Sequence, residues 1–322
     1  MTGSPRTRVC TVVVTGGAGF VGSHVCDALL ALRHRVVALD DLSTGRLQNL
    51  VEALTHGETF TFVETDIRSP NLEGLLAEAR PEVVMHLAAQ AAVRPSAEDP
   101  LNDASVNVLG TLNVLEASVA VGVRKIVYAA SGGTLYGAPE ALPVAENQAP
   151  PAVPTSPYGI SKKVVDHYLR YYRQKHGLDF TQLALANVYG PRQDPLGEGG
   201  VVAIFGRLML EGSQPVIFGD GEQTRDFVYV ADVARAFVLA MQAASEMLVN
   251  IGTGIETSVL EIYRLLAQVT AYNGDPAHDA ARPEELRSIA LDIHLAAEAL
   301  GWHPEVGLAD GLDATVEHLR TD

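Results

Sequence analysis

Thr15-Gly16-Gly17-Ala18-Gly19-Phe20-Val21-Gly22 follows a short β-branched run, Val9–Val14, and opens a helical pattern, Phe20–Leu32. In that pattern Phe20, His24, Ala28 and Leu32 recur on one face. Gly16, Gly19 and Gly22 spell G-x-x-G-x-x-G. Such a loop supplies a tight turn, backbone that approaches a pyrophosphate closely, and close packing of helix on strand. The free N–H groups and positive dipole end of the following helix, around Phe20 and Val21, then face the phosphates. A glycine string alone is a weak signal. It becomes specific when a strand precedes it, a helix follows it and an acid closes the next strand.

That acid is Asp40, 18 residues beyond Gly22, with Asp41 next to it. A carboxylate there accepts hydrogen bonds from an adenosine ribose and repels a 2′-phosphate. The next basic residue is Arg46, so NAD is expected in preference to NADP. The plain alternative is that Asp40 and Asp41 cap a turn. Asp66, after the third strand, is placed to meet an adenine edge or to form a turn.

Outward from this loop, Arg35–Leu39, Phe60–Val63, Val83–Leu87 and Lys125–Ala130 read as further buried strands, with a helical stripe over Asp103–Val121. Strand and helix in strict alternation predict an α/β fold with a doubly wound parallel (Rossmann) sheet. Six prolines between Pro139 and Pro157 mark a loop, and a helix resumes over Tyr158–Lys175. Glycine-rich turns at Gly197–Gly200, Gly219–Gly221 and Gly252–Gly254 then separate short elements. They predict a smaller, interleaved α/β C-terminal substrate lobe. The division expected is 1–182 plus about 226–248 for the dinucleotide-binding domain, with about 183–225 and 249–322 for the second lobe. A strand-helix piece around Phe227–Met241 is expected to return to the first sheet.

The chain has 322 residues, 47% of them hydrophobic and 19% charged, enough apolar material for a large core. Asp and Glu number 39 against 23 Lys and Arg, a net charge of −16. A surface of that sign repels phosphate backbones and anionic lipid, so neither nucleic acid nor membrane is an expected partner. Cys10 and Cys26 offer no metal spacing or disulfide framework. The ten histidines form no H-x-x-x-H or H-E-x-x-H, so no metal is expected. No signal-peptide pattern opens the chain and no uninterrupted apolar run reaches membrane length, which together predict a cytoplasmic protein.

Tyr158 and Lys162 stand four residues apart on one helical face, one turn from each other. A phenol is a poor base at neutral pH, and a neighbouring ammonium together with an oxidised nicotinamide lowers its pKa and makes phenolate available. The strand end Tyr128-Ala-Ala-Ser131-Gly-Gly-Thr134 precedes them. A hydroxyl there, from Ser131 or Thr134, bridges a substrate hydroxyl and the phenolate.

These motifs resemble the extended short-chain dehydrogenases/reductases that act on nucleotide sugars, and within them the UDP-glucose 4-epimerase family. The similarity spans nearly the whole chain: TGGAGFVGSH, LDDLSTG at 39–45, HLAAQ at 86–90, VNVLGT at 106–111, SPYGISK at 156–162, ANVYGPRQ at 186–193 and FGDGEQTRDFVYVADV at 218–233. The resemblance implies that Gly16, Gly19, Gly22, Asp40, Asp66, Ile67, Asn107 and Lys162 hold NAD, with Ala88 lining the site. It implies that Asn187, Val201, Arg225 and Arg282 bind the nucleotide diphosphate of a UDP- or dTDP-hexose. It implies C4 epimerisation through a transient 4-keto sugar. A homodimer through helices 103–121 and 158–175 is implied too, with Val165, Tyr168, Leu169 and Tyr172 on its apolar face.

The chain departs from the family at two places. Gly132 stands where the catalytic serine is often found, which passes the role to Ser131 or Thr134, with Thr134 favoured on register. Ile289 stands where a tyrosine gates the sugar pocket of strict glucose/galactose enzymes, so N-acetylated sugars are admitted as candidates. UDP-glucuronate and UDP-GlcNAc epimerisation are the alternatives. A decarboxylase, with Arg94 or Arg192 for a C6 carboxylate, is a weaker one. A dehydratase is weaker still, because Gly132-Gly133-Thr134-Leu135 lacks the family's Asp-Glu. A non-catalytic NAD-binding regulator would need neither Tyr158 nor Lys162.

Overall fold

The computed structural model describes residues 9–147, 153–195, 200–282 and 286–321. Residues 148–152 of the proline-rich loop and most of the expected turn at 197–200 lie outside them. Seven runs form one sheet: β1 (Thr11–Thr15), β2 (Arg35–Asp40), β3 (Phe60–Glu64), β4 (Val83–His86), β5 (Lys125–Ser131), β6 (Asp179–Leu185) and β7 (Met247–Ile251). All pair in parallel, in the order 3-2-1-4-5-6-7. The order reverses between β1 and β4, and the crevice at their carboxyl ends is where such sheets bind ligands. Thr15, Asp40, His86 and Ser131 end four of these strands, so the sheet delivers the candidate site residues to one edge.

The reason β1 reads as unbroken valine is visible in its packing. Val12 and Val14 enter the core on one face of the sheet and Val13 the core on the other. A parallel strand covered on both faces needs apolar residues at every position. Each fully buried valine contributes roughly 1.5–3 kcal/mol.

Helices α1 (Phe20–Ala31), α2 (Leu72–Ala79), α3 (Pro100–Val121), α4 (Pro157–His176), α5 (Val201–Leu210), α6 (Val230–Ala240), α7 (Val259–Thr270) and α8 (Leu308–Thr321) cover the sheet or build a separate apolar core. α1 buries Ser23, Val25, Cys26, Leu29 and Leu30, not the expected stripe through Phe20 and Leu32. It packs between the sheet and α6, so its buried face is broad. A third core joins α5, α7 and α8 through Phe205, Met209, Ile262, Leu266, Leu312 and Val316. Ala296, Leu300 and Trp302, from the expected second lobe, pack instead into a sheet core. The 227–241 piece follows expectation in its helix, α6, which packs into a core of the main sheet, and departs from it in its strand. Its strand, Phe227–Tyr229, pairs with Asn187–Tyr189 away from the main sheet, and the strand that returns is β7.

α3 has 22 residues and a mean hydropathy of 1.4, long and apolar enough to cross a membrane by length and composition. Within it Asp103, Asn107, Thr111 and Ser118 are buried polar residues, and Ser105–Gly110 winds as π-helix. A π-turn inside an α-helix frequently marks a functional site.

Candidate active site

Gly16 has φ +70°, and a Cβ there would lie 2.7 Å from the Ala88 amide nitrogen; a Cβ on Gly22 would overlap the Gly16 carbonyl oxygen. The loop therefore holds only glycine at these points, and its backbone stays bare for a ligand. Gly19 caps α1 without a side-chain hydrogen bond, and no acid sits in the first turn around Phe20 and Val21. That leaves a positive helix end for an anion, as a pyrophosphate requires.

Asp40 is buried, and its oxygens accept the Ala18 and Leu42 amides at 2.9 Å. Burial raises its pKa, against the pull of those amides. Arg46, the nearest candidate for a 2′-phosphate, is paired with Asp194 at 2.8 Å. The cradle thus fits NAD. Asp41 faces solvent and closes a turn on Ser43. Asp66 is gripped by Arg68, which holds its carboxyl below the usual range. Ile67 is buried beneath Gly110, and the Ala88 backbone amide donates a hydrogen bond to Thr15 Oγ1 at 3.3 Å. Asn107, in the π-turn, clamps Gln90: its Oδ1 accepts the Gln90 amide and its Nδ2 donates to the Gln90 carbonyl, each at 2.9 Å.

α4 begins where Ser156 accepts the Gly159 amide at 3.1 Å and Pro157 occupies the first turn. Gly159 lets the helix press on the 132–135 turn, since a Cβ there would lie 2.9 Å from the Thr134 carbonyl oxygen. This contact brings Tyr158 and Lys162 to the end of β5. Lys162 Nζ donates to the Ala129 carbonyl at 2.9 Å and lies 4.6 Å from the Tyr128 ring centroid and 5.7 Å from that of Tyr158. The Ser131 hydroxyl hydrogen-bonds Tyr158, and Thr134 Oγ1 is buried without a hydrogen-bond partner among the described residues. A buried, unpartnered hydroxyl beside a phenol is a group waiting for a ligand.

The expected depression of the phenol calls for an oxidised nicotinamide beside it, and the electrostatics of the chain by itself run the other way. Burial pushes Tyr158 up to about 12, which outweighs the lowering by Ser131. Burial likewise brings Lys162 down to about 7. Desolvation disfavours both charged forms.

Gly132 holds no serine because Leu291 covers it. A Cβ there would overlap Leu291 Cδ1 and lie 3.2 Å from the Leu185 carbonyl oxygen. Ile289, the expected gate, is 3% exposed and belongs to the core that holds Leu135, Tyr136 and Leu291. Asn187 approaches Gly133, whose Cβ would stand 4.0 Å from its Oδ1. Val201 opens α5, Arg225 lies on a short strand that pairs with Thr257–Ser258, and the Arg282 guanidinium stacks 4.0 Å above the Phe218 ring. Arg192 is held by Asp27 at 2.6 Å and Arg94 by Glu98 at 2.9 Å.

Sequence reasoning missed Asp103, Ser161, His86 and Leu291. The signal for Asp103 was a carboxylate at the start of a largely apolar helical run.

The family model described as "NAD dependent epimerase/dehydratase family" matches residues 12–252. A UDP-glucose 4-epimerase of Mycolicibacterium smegmatis is 48% identical over 96% of this chain and 98% of its own. The crystal structure of a Thermotoga maritima UDP-glucose 4-epimerase with UDP-glucose is 43% identical, with a TM-score of 0.93 over 97% of this chain and 99% of that one. The Thermus thermophilus UDP-glucose 4-epimerase complex with NAD is 41% identical, with a TM-score of 0.88 over 96% and 99%. A glycine cradle shaped for a dinucleotide, a Tyr–Lys pair beside it and these full-length similarities agree: the chain belongs to the NAD dependent epimerase/dehydratase family.

Proposed function

We propose that this protein is an isomerase that inverts C4 of a UDP-linked hexose, interconverting UDP-glucose and UDP-galactose. The observation that carries the reading is the convergence of Tyr158, Lys162, Ser131 and Thr134 at the end of β5, beside the glycine cradle. When bound, NAD supplies a hydride acceptor and donor for C4 and a positive ring that favours the Tyr158 phenolate. Tyr158 takes the proton of the sugar 4-hydroxyl and later returns it. Lys162 holds positive charge beside it, and Thr134 orients the hydroxyl. In this reading the dinucleotide lies at the carboxyl edge of the seven-stranded sheet, and Asn187, Val201, Arg225 and Arg282 take the nucleotide diphosphate. Planar guanidinium groups suit phosphate oxygens.

The working unit of this reading is a homodimer in the cytoplasm. Val165, Leu169 and Tyr172 do not serve that contact, because they fill the sheet core. The apolar residues left outward on α3 and α4 are Leu101, Leu109, Ile160, Tyr168 and Tyr171. Sedimentation as a single 322-residue chain would overturn the dimer.

Proton NMR of the purified protein with UDP-galactose and no added cofactor tests the activity. Appearance of UDP-glucose establishes both carried NAD and C4 inversion. Absence of conversion after NAD is supplied overturns the assignment to UDP-galactose.

A further inference from the structure

Asp103 is fully buried in α3, a costly place for a carboxylate unless it is hydrogen-bonded. Its Oδ2 accepts the Ser161 hydroxyl at 2.6 Å and its Oδ1 accepts Asn107 Nδ2 at 2.9 Å. Ser161 stands on α4 between Tyr158 and Lys162, and Asn107 is the π-turn residue that clamps Gln90. We propose that Asp103 is a positioning residue for the Tyr158–Lys162 pair: its carboxylate fastens the helix that carries the pair to the cofactor-facing turn of α3 and sets a fixed negative charge behind it.

The contact belongs to a longer buried network. Thr15 Oγ1, at the end of β1, meets His86 Nδ1 at 2.7 Å, and His86 Nε2 meets Thr111 Oγ1 at 2.9 Å. Thr111 in turn donates to the Asn107 carbonyl at 2.7 Å. The strand that launches the glycine loop is thus joined by hydrogen bonds to the helix that holds Tyr158. Both hydrogen-bond partners of the Asp103 side chain are neutral, so its charge acts at short range on the groups around it. It raises the pKa of Lys162, opposing burial, and it raises those of Tyr158 and Tyr128. The other titratable groups around the pair are His86 on β4 and Tyr128 on β5. Arg94 and Glu98 bind each other at the surface, and Glu116 accepts from Tyr172, farther along α4.

The inference rests on Tyr158 and Lys162 being the acid–base pair. Asp103→Asn tests it cleanly, because the amide keeps both hydrogen bonds while the charge is lost. Its oxygen accepts from Asn107, and its NH2 donates to the Ser161 hydroxyl, which accepts as readily as it donates. Loss of the charge lowers both pKa values. Both limbs of the kcat/KM–pH profile should therefore move to lower pH, by on the order of one unit. The ultraviolet titration of Tyr158, taken as the difference from a Tyr158→Phe protein, should move the same way. That titration needs no substrate, so it stands even if the sugar assignment fails.

Ser161→Ala keeps the charge and cuts the tie. It should lower kcat about tenfold through misplacement of the helix, with both limbs and KM unmoved. Limbs and titration unshifted in Asp103→Asn would overturn the charge. An unchanged kcat in Ser161→Ala, which also serves if Asp103→Asn does not fold, would overturn the positioning.

Discussion

Leu291 lies directly over Gly132, and its methyl groups fill the place that a side chain at 132 would take. A serine at 132 cannot coexist with Leu291 in its present rotamer, because even a Cβ would be 3.0 Å from Leu291 Cδ2 and overlap its Cδ1. Gly132→Ser should therefore destabilise the fold by about 1–3 kcal/mol, the usual cost of overpacking. Urea unfolding of the single variant and of Gly132→Ser/Leu291→Ala checks this. The double variant should recover part of the loss, and additive losses would contradict the contact.

The two candidate hydroxyls have separable signatures. Ser131 bonds Tyr158 and lowers its pKa, so Ser131→Ala should raise the acid limb of the pH–rate profile. Thr134 carries no protein bond, so Thr134→Ala should depress kcat and leave that limb where it is. Tyr158→Phe, which removes the acid–base group, should lower kcat by roughly 10²–10⁴-fold.

Stability should fall in acid through the buried histidines. Burial brings His86 down from 6.5 to about 3 and His24 to about 4. Between those values and 6.5 the unfolded chain binds the proton and the folded chain does not, so stability drops as pH falls through that window. Each histidine contributes a slope of about 1.4 kcal/mol per pH unit. The buried carboxyls Asp40 and Asp226, whose pKa values burial raises, act the other way. Comparing unfolding of the native chain with that of His86→Gln at several pH values isolates the histidine, and parallel curves would refute its role.

Gly22→Ala should abolish cofactor retention. The new methyl overlaps the Gly16 carbonyl oxygen, so the loop must open by displacing the very backbone that faces the pyrophosphate. Released NAD, assayed after acid precipitation, should be absent from the variant, and its melting temperature should be lower. Full NAD content would refute the cradle.

Most of the fold was legible because its signals are local. A valine run buried on both faces, a glycine loop that tolerates no Cβ and a proline–serine cap each act within a few residues of chain. So β1 to β5, α1 and the start of α4 follow from the sequence, and with them the glycine loop and the shared helical turn of Tyr158 and Lys162, whereas β6 and β7 were not expected. The strand at Phe227–Tyr229 was misplaced because nothing in its three residues records which partner it finds; Asn187–Tyr189 is 38 positions away at closest.

What the sequence determined by itself was the class of chemistry: which residues can hold a dinucleotide, and which phenol and amine share a helical turn. Only the tertiary structure decided their states. Burial, which no local pattern encodes, raises the pKa of Tyr158 and lowers that of Lys162, and packing from 159 residues downstream puts Leu291 over Gly132. Asp103 was one of several polar residues in a largely apolar helix until the fold carried it to Ser161, 58 residues on. Distance in space, and the low dielectric that comes with burial, are properties of the folded chain, and they determine how the pair can work.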